Sequence, residues 1–260
     1  MRGSLLEDVR TGAIDGPEIE RRASRMGCSL EAGAVALAAD VPAGRARQSA
    51  ALVAGEHPGA LAEPLTGPSP DQSRLLCLLP AAQPADGEEV AASTVERARR
   101  IARRLRSLGP TAVSSWADDV AEIPRAVREA ELMLDVMAKD ERLETTLAGD
   151  AADGVYRLLF RALASDPEEV RRFFSETVEP LVSHDRDYHT DLIGTLESYL
   201  ANDCNMNATA AAVYAHRHTV AHRLNRIKEL CDLDPSSSED RERLGLGLKA
   251  YRIIEPTLPR

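Results

Sequence analysis

Aromatic side chains are scarce in this chain: three Phe, five Tyr and one Trp in 260 residues. Any core must therefore be packed from Leu, Val, Ile and Ala. Lysine is scarcer still, with Lys139, Lys228 and Lys249 alone among 32 cationic residues. Acidic residues outnumber basic ones, and the net charge of −10 argues against a general nucleic-acid coat. The four cysteines, Cys28, Cys77, Cys204 and Cys231, form no CxxC pair and match no zinc module, so free thiols in a reducing cytoplasm are expected. No apolar run reaches the roughly 18 residues of a membrane span. The N-terminus has no apolar signal core, so neither a membrane nor a secretory destination is expected. Nucleophile elbow, Walker loop, dinucleotide fingerprint and zinc-protease motif are all missing, and no catalytic residue, cofactor or metal is expected. What is present is 43% hydrophobic and 28% charged, a globular composition long enough for two modest domains.

Taken in order, residues 1–138 alternate helix and strand signals. Leu5, Leu6 and Val9 open a short helix that Gly12 ends, and Glu18 to Met26 form a charged helix stopped by Gly27. Ala34 to Ala38 is a buried-strand run, and Ala43 to Ala54 a helix. Gly59 to Leu65 and Leu75 to Leu79 read as two strands joined by the turn-rich 66–71, and Pro64 marks the first as an edge strand. Glu88 to Leu108 is an amphipathic helix with Val95, Ala98, Ala102 and Leu105 on one side. Its six arginines between Arg97 and Arg106 read as a solvated face over a sheet. Thr111 to Trp116 is a further strand and Arg125 to Met137 a helix. This pattern predicts an α/β domain with a mixed or antiparallel sheet. Residues 139–154 are polar and acidic and read as a linker.

From 155 onward only helices are expected, so the fold class is α+β: a sheet domain, 1–138, followed by an all-α domain, 155–260. Asp166 caps a helix with Pro167 at its first position. Phe173 and Phe174 are expected to anchor a small core. His184 to Asp187 looks like a loop. Thr190 to Leu200 is a helix with Leu192, Leu196 and Leu200 turned inward, and Ser236 with Glu239 fits a capping box before the last helix.

The most informative stretch is Asn207 to Leu230, NATAAAVYAHRHTVAHRLNRIKEL. An alanine-rich helix, Ala208 to Val213, meets a corner, Tyr214-Ala215-His216. A second helix starts at Arg217 and carries Val220, Leu224 and Ile227 as a buried stripe. Small residues let the second helix cross the first closely, and the second presents a polar face. That is the design of a helix-turn-helix. Residues 217–230 hold Arg217, Arg223, Arg226 and Lys228 against Glu229 alone, so the local charge inverts that of the whole chain. Exposed charge acts over about 10 Å at ordinary salt, so the inversion matters where it lies.

The string His216-Arg217-His218-Thr219-Val220, then Arg223-Leu224 and Arg226-Ile227, follows Leu192, Leu196, Tyr199-Leu200, Asn205 and Thr209-Ala210, and is continued by Asp240-Arg241 and Leu244 to Leu248. Over residues 188–254 this resembles the PucR-type helix-turn-helix of bacterial transcription regulators, a group that includes the CdaR-like sugar-diacid regulators. Leu5-Leu6, Gly12, Arg22-Ala23 and Met26-Gly27, with Thr111 to Ser114 and Ile123 to Leu134, resemble the middle domain of the same regulators, a degenerate GGDEF-like fold. The hairpin that would bear the cyclase signature reads Gly67-Pro68-Ser69-Pro70-Asp71, without paired glycines and acids. The resemblance thus implies a regulatory or dimerising domain and not a cyclase. Many members of the family carry a further sensor region ahead of the middle domain, where this chain starts.

The reading is a sequence-specific regulator that binds double-stranded DNA, as a homodimer and under control of a small-molecule effector. The contact residues expected are Arg217, His218, Thr219, His222, Arg223, Asn225 and Arg226. Arginine can bond guanine through two hydrogen bonds, threonine can meet a thymine methyl or a phosphate, and a helix N-terminus favours an anion. Arg223 and Arg226 suit phosphates or intramolecular ion pairs better than bases. His218 and His222, four residues apart, share a face, but no carboxylate or cysteine is placed to complete a metal site. The competing reading is a nucleotide- or metabolite-binding signalling protein whose helical tail mediates protein association.

Overall fold

The computed structural model describes residues 4–81, 89–138 and 154–255. The chain divides into two compact units, Met1–Ser165 and Asp166–Arg260. The expected linker at 139–154 lies, apart from Gly154, outside the described residues.

In the first unit, α1 (Leu5–Thr11) and α2 (Gly16–Arg25) are capped by Ser4 and Asp15, whose side chains accept from the amides of Glu7 and Glu18. Strands β1 (Ala34–Pro42), β2 (Leu61–Thr66), β3 (Gln72–Pro80) and β4 (Thr111–Val113) form one sheet in the order β2-β3-β1-β4. Every pairing is antiparallel, with Leu37 opposite Cys77 on one side and Val113 on the other. β2 lies at an edge, where the missing amide of Pro64 costs least. The expected fourth strand is shorter than 111–116: regular pairing stops at Val113, and an isolated bridge joins Ala117 to Ala34.

Helix α3 (Ala46–Glu56) and helix α4 (Val90–Leu105) cover one face of the sheet. There Val35, Leu37, Ala39 and Val41 alternate inward with Leu75, Cys77 and Leu79, against Val53, Ala98, Ile101 and Leu105. Val95 is only partly buried; Thr94 and Ile101 complete the buried side of α4. Among its arginines, Arg103 pairs with Glu96 at 3.0 Å and Arg104 with Glu56 of α3. That face is thus partly neutralised. Helix α5 (Ile123–Met137) packs on β1 and β4, and α1 packs on α5. Helix α6 (Gly154–Ser165) buries Tyr156, Leu159, Phe160 and Leu163 and packs on α5, so the compact division falls after Ser165 although the helical part was expected to begin at 155.

One ionic cluster sits at the end of β1. Asp40 and Arg74 are cross-strand partners, and the guanidinium donates to both carboxylate oxygens at 3.0 Å. Asp135 lies 2.7 Å from Arg74, and Glu131 3.7 Å from both Arg74 and Arg10. Burial works against the charge of Arg74, but hydrogen bonds to Asp40 and Asp135 outweigh it and hold the guanidinium protonated. For Glu131, burial prevails over its arginine neighbours and raises the carboxyl above its ordinary range. The four cysteines are free thiols; burial pushes Cys28 and Cys231 up to about 12.

The second unit is helical throughout its described residues: α7 (Pro167–Thr177), α8 (Glu179–Tyr188), α9 (Leu192–Ala201), α10 (Met206–Ala212), α11 (Arg217–Cys231) and α12 (Ser238–Ile254). Asp166 caps α7 as expected, accepting from the amides of Glu168 and Glu169. Phe174 is buried and stacks on Tyr251 with ring centres 5.6 Å apart, whereas Phe173 is only partly buried. His184 to Asp187 belongs to α8, not to a loop. Its polarity marks the solvated last turn of a helix anchored by Leu181. Asp185 there accepts from the amides of Leu192 and Ile193, serving the start of α9. The last cap is displaced by one residue: Ser237 accepts from Asp240, and Asp240 accepts from the amide of Asp234. No helix among the described residues is long and apolar enough to cross a membrane.

Candidate nucleic-acid interface

The site is built by α10, the corner after it, and α11. Asn205 caps α10, its side chain accepting from the amides of Asn207 and Ala208 at 3.0 and 3.1 Å. Thr209 and Ala210 are buried where α10 packs on α11. Small residues are required there, because two helix backbones can approach only as closely as the side chains between them allow. Helix α10 ends in a Schellman arrangement: the amide of Ala215 donates to the carbonyl of Ala210 at 2.9 Å and that of Tyr214 to Ala211 at 3.3 Å. Tyr214 takes the left-handed position of that motif, φ +51°.

His216 caps α11, its Nδ1 accepting from the amide of His218 at 3.3 Å. The cap fixes the tautomer, since an accepting Nδ1 leaves any ring proton on Nε2. The two imidazoles stack with centres 5.1 Å apart. From there α11 divides into two faces. Val220 and Ile227 are fully buried, while Leu224, expected as an equal member of that stripe, is only partly so. Arg217, His218, Thr219, His222 and Asn225 are exposed. Arg217 makes no ion pair or hydrogen bond among the described residues.

Arg223 and Arg226 stand apart from those five. Arg223 reaches back to α9, donating to Thr195 Oγ1 at 2.8 Å and pairing with Asp191 at 3.3 Å. Arg226 pairs with Glu229 at 2.9 Å and lies 3.4 Å from His184 Nε2. Both are partly buried fasteners of α11 to its neighbours. Their partners Asp191, Thr195 and His184 carry no motif signal, since only the crossing of helices brings positions some 30 to 40 apart in sequence together. Lys228 binds Asp234, and that hydrogen bond holds the Asp234 carboxyl below the usual carboxylate range. The face left open by α11 therefore has one guanidinium unpaired among the described residues, three imidazoles counting His216, a hydroxyl and a carboxamide. These are donors and acceptors suited to base edges and phosphate oxygens. Among the described residues no group of His, Cys, Asp and Glu is placed to hold a metal ion.

Comparison with known proteins agrees with this geometry. The family model described as the PucR C-terminal helix-turn-helix domain matches residues 192–250, and the GGDEF-like domain matches 11–136. The chain is similar to the purine catabolism regulatory protein of Bacillus subtilis, 32% identical over 87 residues, which are 34% of this chain and 16% of that protein. It is also similar to the transcriptional activator PmfR of Paenarthrobacter nicotinovorans, 45% identical over 62 residues, 24% of this chain and 13% of that one. The matches thus span well under a quarter of these relatives' lengths. A solved structure, the regulator of polyketide synthase expression from Bifidobacterium adolescentis, aligns over 95% of this chain and 96% of its own, with a TM-score of 0.41 and 16% identity. Two family models thus match the chain, the GGDEF-like domain over 11–136 and the PucR C-terminal helix-turn-helix domain over 192–250.

Proposed function

We propose that this chain is a cytoplasmic, sequence-specific DNA-binding transcription regulator that reads double-stranded DNA with the start of α11. The observation that carries the reading is the division of that helix. Val220 and Ile227 are fully buried, while Arg217, His218, Thr219, His222 and Asn225 stand open within its first nine residues. In helix-turn-helix proteins those turns meet base edges. Arg223 and Arg226 complete the surface as phosphate neighbours when their intramolecular partners release them. Binding as a homodimer supplies the area specific recognition needs, since one helix-turn-helix covers one half-site.

The sheet domain, 1–138, acts in regulation or dimerisation, under a small-molecule effector, with 139–154 as the connection to the helical domain 155–260. A role other than catalysis is supported by the β2–β3 hairpin, Gly67-Pro68-Ser69-Pro70-Asp71, which offers neither paired glycines nor paired acids. The test is selection of bound duplexes from a random pool by the full chain. Recovery of an inverted repeat is expected; recovery of unrelated sequences would overturn the reading.

A further inference from the structure

Tyr214 is placed against every preference of its side chain. Its position is the left-handed one of the helix-ending motif, which glycine occupies by default. A side chain there costs about 1–2 kcal/mol. Asn or Asp tolerate such a backbone by bonding locally; a bulky ring gains nothing from it. The helix-ending hydrogen bonds of Tyr214 and Ala215 would form equally with glycine, and among the described residues the tyrosine ring itself offsets none of that cost. Tyr214 is 98% exposed, and its side chain makes no ring contact or hydrogen bond among the described residues. Elsewhere the few aromatics are put to use, with Phe160 and Tyr199 buried and Tyr251 stacked on Phe174. Among the described residues glycine takes the left-handed positions of the first unit, whereas the second unit uses His189, Asp203, Cys204, Tyr214 and Asp232, of which Tyr214 carries the largest side chain.

The position also lies two residues before His216, the cap of α11. When the start of a recognition helix enters the major groove, the turn leading into it lies at the groove's edge, along the phosphates. Tyrosine hydroxyls are regular donors to phosphate oxygens.

We propose that Tyr214 is a DNA-backbone contact, its hydroxyl donating to a phosphate and its ring lying against the adjoining sugar. This rests on the DNA-reading role proposed above. It adds a neutral positioning contact outside the exposed face of α11, one that sets the depth and register of the helix without reading sequence.

The experiment measures binding by the full chain to its selected duplex and to a scrambled one, at several salt concentrations. The variants are Tyr214→Gly, Tyr214→Phe and Arg217→Ala, each with a thermal melt. For Tyr214→Gly the melting temperature is expected to stay level or rise. Affinity should fall about tenfold on both duplexes, the worth of one or two hydrogen bonds. The salt slope should not change, since no charge is removed. Tyr214→Phe should fall between Gly and wild type. Wild-type affinity in Tyr214→Gly, beside a weakened Arg217→Ala, would overturn the assignment while leaving the DNA-reading role intact. A loss confined to the selected duplex would make Tyr214 a base contact and overturn the backbone assignment. Equal binding of selected and scrambled DNA by the wild-type chain would bring down the DNA-reading role itself, and the assignment with it.

Discussion

Replacing Arg223 and Arg217 separately by alanine distinguishes a residue that holds α11 in place from one proposed to read DNA. Arg223 donates to Thr195 Oγ1 at 2.8 Å, and Thr195 is fully buried. A hydrogen bond to a charged group contributes about 1.5–3 kcal/mol. The ion pair with Asp191 adds at most about 1 kcal/mol, because that carboxylate is largely solvated. Losing the guanidinium does not orphan the hydroxyl of Thr195, which still donates to the carbonyl of Asp191 at 2.5 Å. The cost therefore falls toward the lower end, about 1–2 kcal/mol. For a helical unit of this size that is a fall of roughly 5–15 °C in its melting transition. Arg217 is exposed and unpaired among the described residues, so Arg217→Ala should change stability by no more than about 0.5 kcal/mol. Its effect belongs to binding: about 1–3 kcal/mol, or roughly 5- to 150-fold, with relaxed preference at one base position. Thermal melts followed by circular dichroism, and fluorescence anisotropy on the selected duplex, read the two quantities independently. A melt unchanged in Arg223→Ala, or a lowered melt in Arg217→Ala, would refute this assignment of roles.

Other perturbations test the packing and the charges. Ala210→Leu should cost about 1–3 kcal/mol by forcing α10 and α11 apart, read as a lowered melt with DNA affinity lost in parallel; an unchanged melt would contradict the close crossing. Arg74→Ala strands Asp40, only 2% exposed, without its counter-charge. It should cost about 3–5 kcal/mol in denaturant titration, and a cost below about 1 kcal/mol would show that Asp40 finds another partner. Glu131, its carboxyl raised by burial, contributes stability that is complete below the unfolded carboxyl value and lost as pH rises through the folded one. Glu131→Gln should therefore gain on wild type as pH rises from below the ordinary carboxyl range to above it, and a change in the opposite direction would refute the burial account.

Most elements were legible because they rest on local rules. The apolar runs of β1 and β3, the cap at Asp166, and the spacing of Val220 and Ile227 are set by short-range patterns and by amides that lack partners. The reading failed where polarity was taken for irregularity. His184 to Asp187 is helical because Leu181 anchors one side and water suffices for the rest. In the same way β4 stops at Val113 because strand length depends on the partner strand, which no local pattern encodes.

By itself the sequence pointed to a helix-turn-helix near the C-terminus, with a locally inverted charge and seven candidate contact side chains on its second helix. Only the tertiary structure decided how those seven divide. It left Arg217, His218, Thr219, His222 and Asn225 open, and turned Arg223 toward Thr195 and Arg226 toward His184. The reason is geometric. Helical spacing tells which side chains share a face, but whether that face meets water or a neighbouring helix depends on crossings between segments distant in the chain. The corner residue Tyr214 shows the same limit: its identity was plain in the sequence, while its strained backbone and bare ring emerged only once α10 and α11 were seen to meet.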